Sequence, residues 1–548
     1  MNQADTIWTG GMFLTMDPAR PLCTALAARQ GRILAVGGDS EVEALAGPGT
    51  RRVAMHGRFA MPGLVEAHSH PLWGAARDLF EIYVGFEAGV DDLLSAVRAR
   101  ASETPPGQWI TGGPWRAALC ADMGDSPRAL LDAAAPQHKV ALADVTQHAM
   151  WCNTAALEAA GLHAGTPTPV GGVVEREPDG QPNGILAESG CAGIRALTRR
   201  SAAELARATE HVVKYYNALG YTAAKEAMAT EDDLAAYAEA DRAGRLTLHM
   251  AAHIGCSSPM GLAPLSIAEM IRLRDTYATE NLQTGFAKLF LDGVPPALTA
   301  SLLDPYPAAT GYDPAGHDPD ATLLIEPGAL SGLVSALDAA GFTVKMHAVG
   351  DNAARRGLDA IEAARQANGA SGLRHEIAHC TYVDTADKPR FAALGAVAEM
   401  SPKLWMPNPG TAAQRHFLGT ERAARCCEIR LLLEAGAELV CGTDWPAAAP
   451  DANPWTGLAG MLTRADPTGR YSGIVGPGQE ITLAQALPIY TVNGARSLRL
   501  EGKAGQLIPG AFADFIVLPG DLRRMTPEQI GAIEVAETVW KGRTVHAA

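Results

Sequence analysis

An α/β architecture, with a (β/α)8 TIM barrel at its centre, is what this 548-residue sequence predicts. Three observations lead there. Eight short apolar runs alternate with helical periodicity between residues 61 and 487, and alternation on that scale builds a closed parallel barrel. The two ends, 1–60 and 488–548, carry short β-rich runs that are too small to be stable alone, so they are expected to pair into one β-sandwich lobe. Residues 71–200 are far too long for a loop after the first barrel strand, so they are expected to hold an insertion with its own structure.

The elements follow in order. Thr6-Ile7-Trp8, Met12–Met16, Ala25–Ala27 and Arg32–Gly37 read as strands punctuated by Gly10-Gly11, Gly31 and Gly57. The first barrel strand is the run behind the turn signal Pro62-Gly63, ending on His68-Ser69-His70. Seven more strands are predicted at 221–228, 246–254, 285–293, 342–350, 375–380, 396–401 and 439–445, with helices at 201–219, 230–243, 326–340, 352–367, 385–394 and 422–435. Inside the insertion, Gly171–Glu177 followed by Pro178-Asp179-Gly180 is a hairpin signal. The closing strands fall within 505–518 and 533–545.

Composition narrows the function. A 47% hydrophobic, 19% charged chain can bury a large core, and a net charge of −15 argues against nucleic acid or an anionic membrane as partner. The start lacks a basic segment followed by an apolar one, and no run approaches the roughly 20 apolar residues of a membrane span. Nine cysteines with no C-x-x-C pair suggest reduced thiols, hence a cytoplasmic location. The adjacent Cys426 and Cys427 read as helix residues.

Barrel active sites lie at the C-terminal ends of the strands. There this sequence places His68 and His70 on strand 1, Lys288 on strand 4, His347 on strand 5, His379 on strand 6 and Asp444 on strand 8. His68 and His70 alternate with Ser69, so both point the same way and can grip one ion. Taken singly, His347 or His379 could be a core histidine, Asp444 a cap and Lys288 a salt-bridging lysine. Six such residues at successive strand ends point instead to a metal site.

The segments MPGLVEAHSH, Gly113-Pro114-Trp115, His148–Asn153, KLFLDG, MHAVGDNA, IAHC and GTDWP resemble those of the amidohydrolase superfamily, in the subgroup called amidohydrolase family 3 or YtcJ-like. That resemblance implies a distorted barrel with a sandwich built from both termini. It implies two divalent ions: His68, His70 and Asp444 on one, His347 and His379 on the other, and Lys288 bridging them after carboxylation by CO2. A protonated lysine between two cations would be repelled, whereas a carbamate offers each an oxygen. Imidazole and carboxylate ligands suit zinc, though manganese, iron or nickel would also bind. Two positions depart from the family pattern: Ala378 stands where an acid commonly precedes the strand-6 histidine, and Glu66 where aspartate is frequent in the first motif.

The constellation predicts hydrolysis of a non-peptide C–N bond, in a linear N-acyl or N-formyl amide or a carbamate, by hydroxide formed on the metal. Asp444 is the expected general base and then acid, and the resemblance adds His148 as an oxyanion donor. Trp115, Trp151 and Trp405 are candidates for a wall against an apolar or aromatic group of a small-molecule substrate. A ring-amine deaminase with one metal is the alternative enzyme, and a catalytically silent regulatory or binding barrel is the alternative of another class. A homodimer is compatible with this reading.

Overall fold

The computed structural model describes residues 3–145, 147, 149–169, 172–256, 264–447 and 449–548. Eight parallel strands, β1 to β8, span Leu64–Ser69, Tyr221–Ala229, His249–Gly255, Leu282–Phe290, Thr343–Ala348, Glu376–His379, Val397–Met400 and Glu438–Cys441, and they neighbour one another in chain order. Every residue of β1, β2 and β3 is buried. Burial of both faces is why these strands read as continuous runs rather than alternating ones. The helix before β2, Ala202–Leu219, shows how local chemistry sets a junction: the Ser201 hydroxyl and the Glu204 carboxylate cap its start reciprocally, and Gly220 ends it at φ 92°. The Gly220 carbonyl then accepts from Leu64 N at 2.9 Å, which aligns β2 with β1.

β1 and β8 are the two edges of this eight-stranded order. They are joined by individual bonds: Asp444 N donates to His68 O at 2.7 Å and His70 N to Trp445 O at 2.7 Å. The Glu66 carboxylate adds a clamp. Its Oε1 accepts from His68 N and Thr443 N, both at 3.0 Å, and its Oε2 from the Tyr221 hydroxyl at 3.0 Å. The aspartate-to-glutamate departure noted in the sequence therefore falls on the residue that closes the barrel.

Both chain ends share one sheet. Phe59–Pro62 pairs antiparallel with Phe515–Leu518, and the sheet runs on through Glu537–Trp540 and Arg543–Ala547 on one side and Met12–Leu14 on the other. A second, four-stranded sheet from residues 4–54 completes the lobe, and Trp8, Phe13 and Phe515 pack between the layers. The insertion folds around its own six-stranded sheet, in which Gly172–Arg176 and Pro182–Glu188 form the expected hairpin. Among the described residues no helix is long and apolar enough to cross a membrane.

Two local expectations are corrected. His70 lies one residue beyond β1, at the start of the helix Pro71–Phe80. The helix expected over 422–435 is split into Thr420–Ala424 and Ile429–Glu434. Cys427 sits in the break at φ 56°, its N–H drawn to Thr381 O at 2.8 Å instead of continuing the helix.

The seam leaves no room at Gly442, where a Cβ would lie 2.2 Å from His68 N and 2.5 Å from Glu66 Oε1. Gly442→Ala is expected to cost about 1–3 kcal/mol through overpacking, read as a lower urea midpoint. An unchanged midpoint would show that the seam is not tightly packed.

Candidate active site

Four imidazoles form a continuous row at the C-terminal end of the barrel. His70 and His68 have ring centroids 5.7 Å apart, His68 and His379 4.8 Å, and His379 and His347 4.7 Å. Asp444 enters from the loop after β8. His379, Cys380 and Asp444 have φ of 73°, 41° and 60°. Left-handed backbone at non-glycine residues costs of order 1–3 kcal/mol each and is characteristic of sites where side-chain aim is imposed by the surroundings.

His68, His70 and Asp444 bring three ligand atoms together. Asp444 Oδ1 lies 3.5 Å from His68 Nε2 and 3.6 Å from His70 Nε2. These separations are too long for hydrogen bonds and match the edge of a tetrahedron of ligands about 2.1 Å from a central ion. His68 Nε2 is buried with no hydrogen-bond partner among the described residues. A buried nitrogen facing a carboxylate across a gap of that size fits a divalent cation.

Electrostatics favour the same use. Burial, reinforced by Lys345 and Lys288, holds His68 well below its ordinary pKa, and burial with His347 and His68 does the same to His379. Both imidazoles are thus neutral, the form that coordinates metal. Burial opposes a charge on His70, but Asp444 and Glu226 outweigh it and raise its pKa. Burial also raises Asp444, with His70 and Lys288 pulling the other way.

Lys288 is buried and sits close enough to His68, His379 and Asp444 to perturb all three, with its Nζ 4.8 Å from the Phe290 ring centroid. Burial and the charge of Lys345 lower its pKa to about 8. His347 is backed by Asp292, whose Oδ1 lies 3.7 Å from His347 Nε2. That carboxylate accepts from the backbone N–H groups of Val349, Gly350 and Ser301, yet burial still pushes its pKa up to about 7.

The structure shows site residues that the sequence reading passed over. Glu226 on β2 lies 3.6 Å from His70 Nδ1, and Glu399 on β7 contacts His68 Nδ1 directly. Ligand atoms of His68, His379 and Glu399 form a second close group. Neither acid replaces one at Ala378 on β6: Glu399 enters from the adjacent β7 and Glu226 from β2. The available signal was charge inside a mostly apolar run, Glu399 within Val397–Met400 and Lys225-Glu226 within Tyr221–Ala229.

The candidate aromatic wall is placed differently. Trp115 and Trp151 are buried in the insertion's core, and their indole N–H groups donate to Leu142 O and Pro127 O, both at 2.9 Å. Trp405 is buried in the main core beneath the Arg464 guanidinium. The ring beside the histidine row is Trp73, stacked on His70 with centroids 4.9 Å apart. His148 lies outside the described residues.

Comparison with known proteins identifies the family. The model of the amidohydrolase family (Amidohydro_3) matches residues 53–546. The chain is 28% identical to the protein LONG AFTER FAR-RED 3 of Arabidopsis thaliana, over 94% of this chain and 87% of that one. It is 26% identical to the N-substituted formamide deformylase of Arthrobacter pascens, over 96% of both. A crystal structure of an uncharacterized metal-dependent hydrolase from Pyrococcus horikoshii superposes with a TM-score of 0.75 at 21% identity, covering 95% of this chain and 99% of that one. With the barrel, the histidine row and the family match across nearly its whole length, the chain belongs to the amidohydrolase family and is a hydrolase of carbon–nitrogen bonds.

Proposed function

We propose that this enzyme hydrolyses the C–N bond of a linear N-formyl or N-acyl amide or of a carbamate, using divalent metal held by His68, His70 and Asp444. The observation that carries the reading is the unpartnered, buried His68 Nε2 facing Asp444 Oδ1 at 3.5 Å. Likeness to a formamide deformylase over 96% of both chains supports the choice of bond. A divalent cation bound there supplies Lewis acidity, acidifying water and polarising a carbonyl oxygen.

The chain's own groups do the rest. Burial of Asp444 favours its protonated form, so it can take a proton from water at one carboxylate oxygen and return it to the leaving nitrogen. His68 and His379 stay neutral in the absence of metal and so keep lone pairs for coordination. The stacked Trp73 holds the His70 ring and offers an apolar surface for the substituent on nitrogen. Lys288, His347 and His379 form the proposed second centre, with Lys288 carboxylated and zinc in both positions.

The lowered pKa of Lys288 gives the carboxylation a pH signature. At pH 7 an amine of pKa about 8 is neutral about a tenth of the time, against about one part in 2,500 for an ordinary lysine. Only the neutral amine attacks CO2. At a fixed concentration of dissolved CO2, zinc reconstitution of metal-free protein is therefore expected to respond to CO2 more strongly at pH 8.5 than at pH 6.5, reaching two ions per chain, and Lys288→Met is expected to hold one. Two ions per chain in Lys288→Met would remove Lys288 from the centre.

Assays on N-substituted formamides, N-acyl amino acids, carbamates and aminopurines test the reaction. Turnover of an amide or carbamate is expected, abolished by a chelator and restored by zinc, with kcat reduced about 10²–10⁴-fold in Asp444→Asn. Chelator-insensitive turnover, or deamination of aminopurines alone, would overturn the reading.

A further inference from the structure

Beneath the histidine row, the barrel interior carries a ladder of alternating charges. Lys225 on β2 pairs with Glu376 on β6. Lys345 on β5 lies 3.3 Å from Glu376 Oε2 and 3.4 Å from Glu399 Oε2. Glu399 on β7 contacts His68 Nδ1 on β1. All four charged side chains are fully buried, two cations against two anions. Lys345 also donates to Ala67 O at 2.6 Å, so it holds the backbone next to His68 as well as the carboxylate behind its ring.

Such a ladder is a poor device for stability. Buried ion pairs lose about as much in desolvation as they gain in attraction, and apolar replacements of similar volume are often neutral or stabilising. The same barrel fills neighbouring space with Ala67, Val397 and Val440. The distinctive property of the ladder is where it ends. Glu399 accepts at Nδ1, so the proton of neutral His68 is fixed there and Nε2 is left as a lone pair aimed at Asp444. Glu399 meets His68 at Nδ1, whereas Asp444 faces Nε2, so Glu399 acts behind His68 rather than beside it.

We propose that Glu399, itself held by Lys345, is the positioning residue of the metal centre: it sets the tautomer and ring orientation of His68, and thereby the affinity of the His68–His70–Asp444 group for a divalent cation. The inference rests on the metal reading above. Nδ1 partners of metal-binding histidines typically govern about 10–100-fold in metal affinity.

Zinc affinity of metal-free protein, measured by competition with a chromophoric chelator, tests this without any substrate. Glu399→Ala is expected to weaken the tightest zinc site about 10–100-fold, and Glu399→Gln, whose amide oxygen can still accept from Nδ1, to restore much of the loss. Single removal leaves Lys345 with one fewer partner and can impair folding. The pair Lys345→Met with Glu399→Leu removes one charge of each sign and keeps Lys225 with Glu376. That double variant is expected to melt, metal-free, near the wild-type temperature while showing the same loss of zinc affinity. Zinc affinity within twofold of wild type in the double variant would overturn the positioning role and leave the metal centre standing. Failure of the wild-type protein itself to bind zinc would overturn the metal centre and this inference with it.

Discussion

The carboxylate of Glu66 is the constraint on which the rest of the site depends. β1 and β8 are the two edges of the barrel sheet, and the clamp of one buried carboxylate on two backbone N–H groups holds them together across 377 residues of sequence separation. Burial pushes the pKa of Glu66 up to about 7 even though hydrogen bonds from His68, Thr443 and Tyr221 pull it down. Closing that seam sets His68 and Asp444 face to face. Asp444 N donates to His68 O, so the spacing of the two side chains is fixed through the backbone and does not rely on attraction between them.

Around the seam, the site is organised to keep imidazoles neutral and carboxylates close. His68 on β1 and His70 just beyond it each have a carboxylate on the Nδ1 side, Glu399 in direct contact with His68 and Glu226 3.6 Å from His70, while both Nε2 atoms face Asp444. In His68 one ring nitrogen is anchored and the other presented, the arrangement that metal coordination requires of an imidazole. The left-handed backbone at His379, Cys380 and Asp444 concentrates conformational strain at the same rim. Rigid strands on every side sustain it, with β2, β3 and β7 buried throughout.

Much of this was readable from the amino-acid order because polar residues at the ends of apolar strands are conspicuous. His68, His347, His379 and Asp444 stand out beside apolar runs such as Leu439–Cys441, and the barrel places strand ends on one rim. Residues within strands are harder to read. Lys225, Lys345, Glu376 and Glu399 look like solvent-facing alternation until closure of the barrel shows that their side of the strand faces inward. The aromatic residues are harder still: Trp115 and Trp151 lie within the insertion's own hydrophobic core, which their spacing does not report. The break at Cys426-Cys427 depends on a bond to Thr381 O, a contact across the fold that helical periodicity does not report.

The central claim is that a cation sits between two imidazole Nε2 atoms and one carboxylate oxygen at the barrel seam. Anomalous diffraction from crystals grown with zinc, collected on both sides of the zinc absorption edge, addresses it directly. The account predicts an edge-dependent peak within about 2.3 Å of His68 Nε2, His70 Nε2 and Asp444 Oδ1 together. A zinc peak elsewhere, with those three atoms bridged only by water, would contradict it.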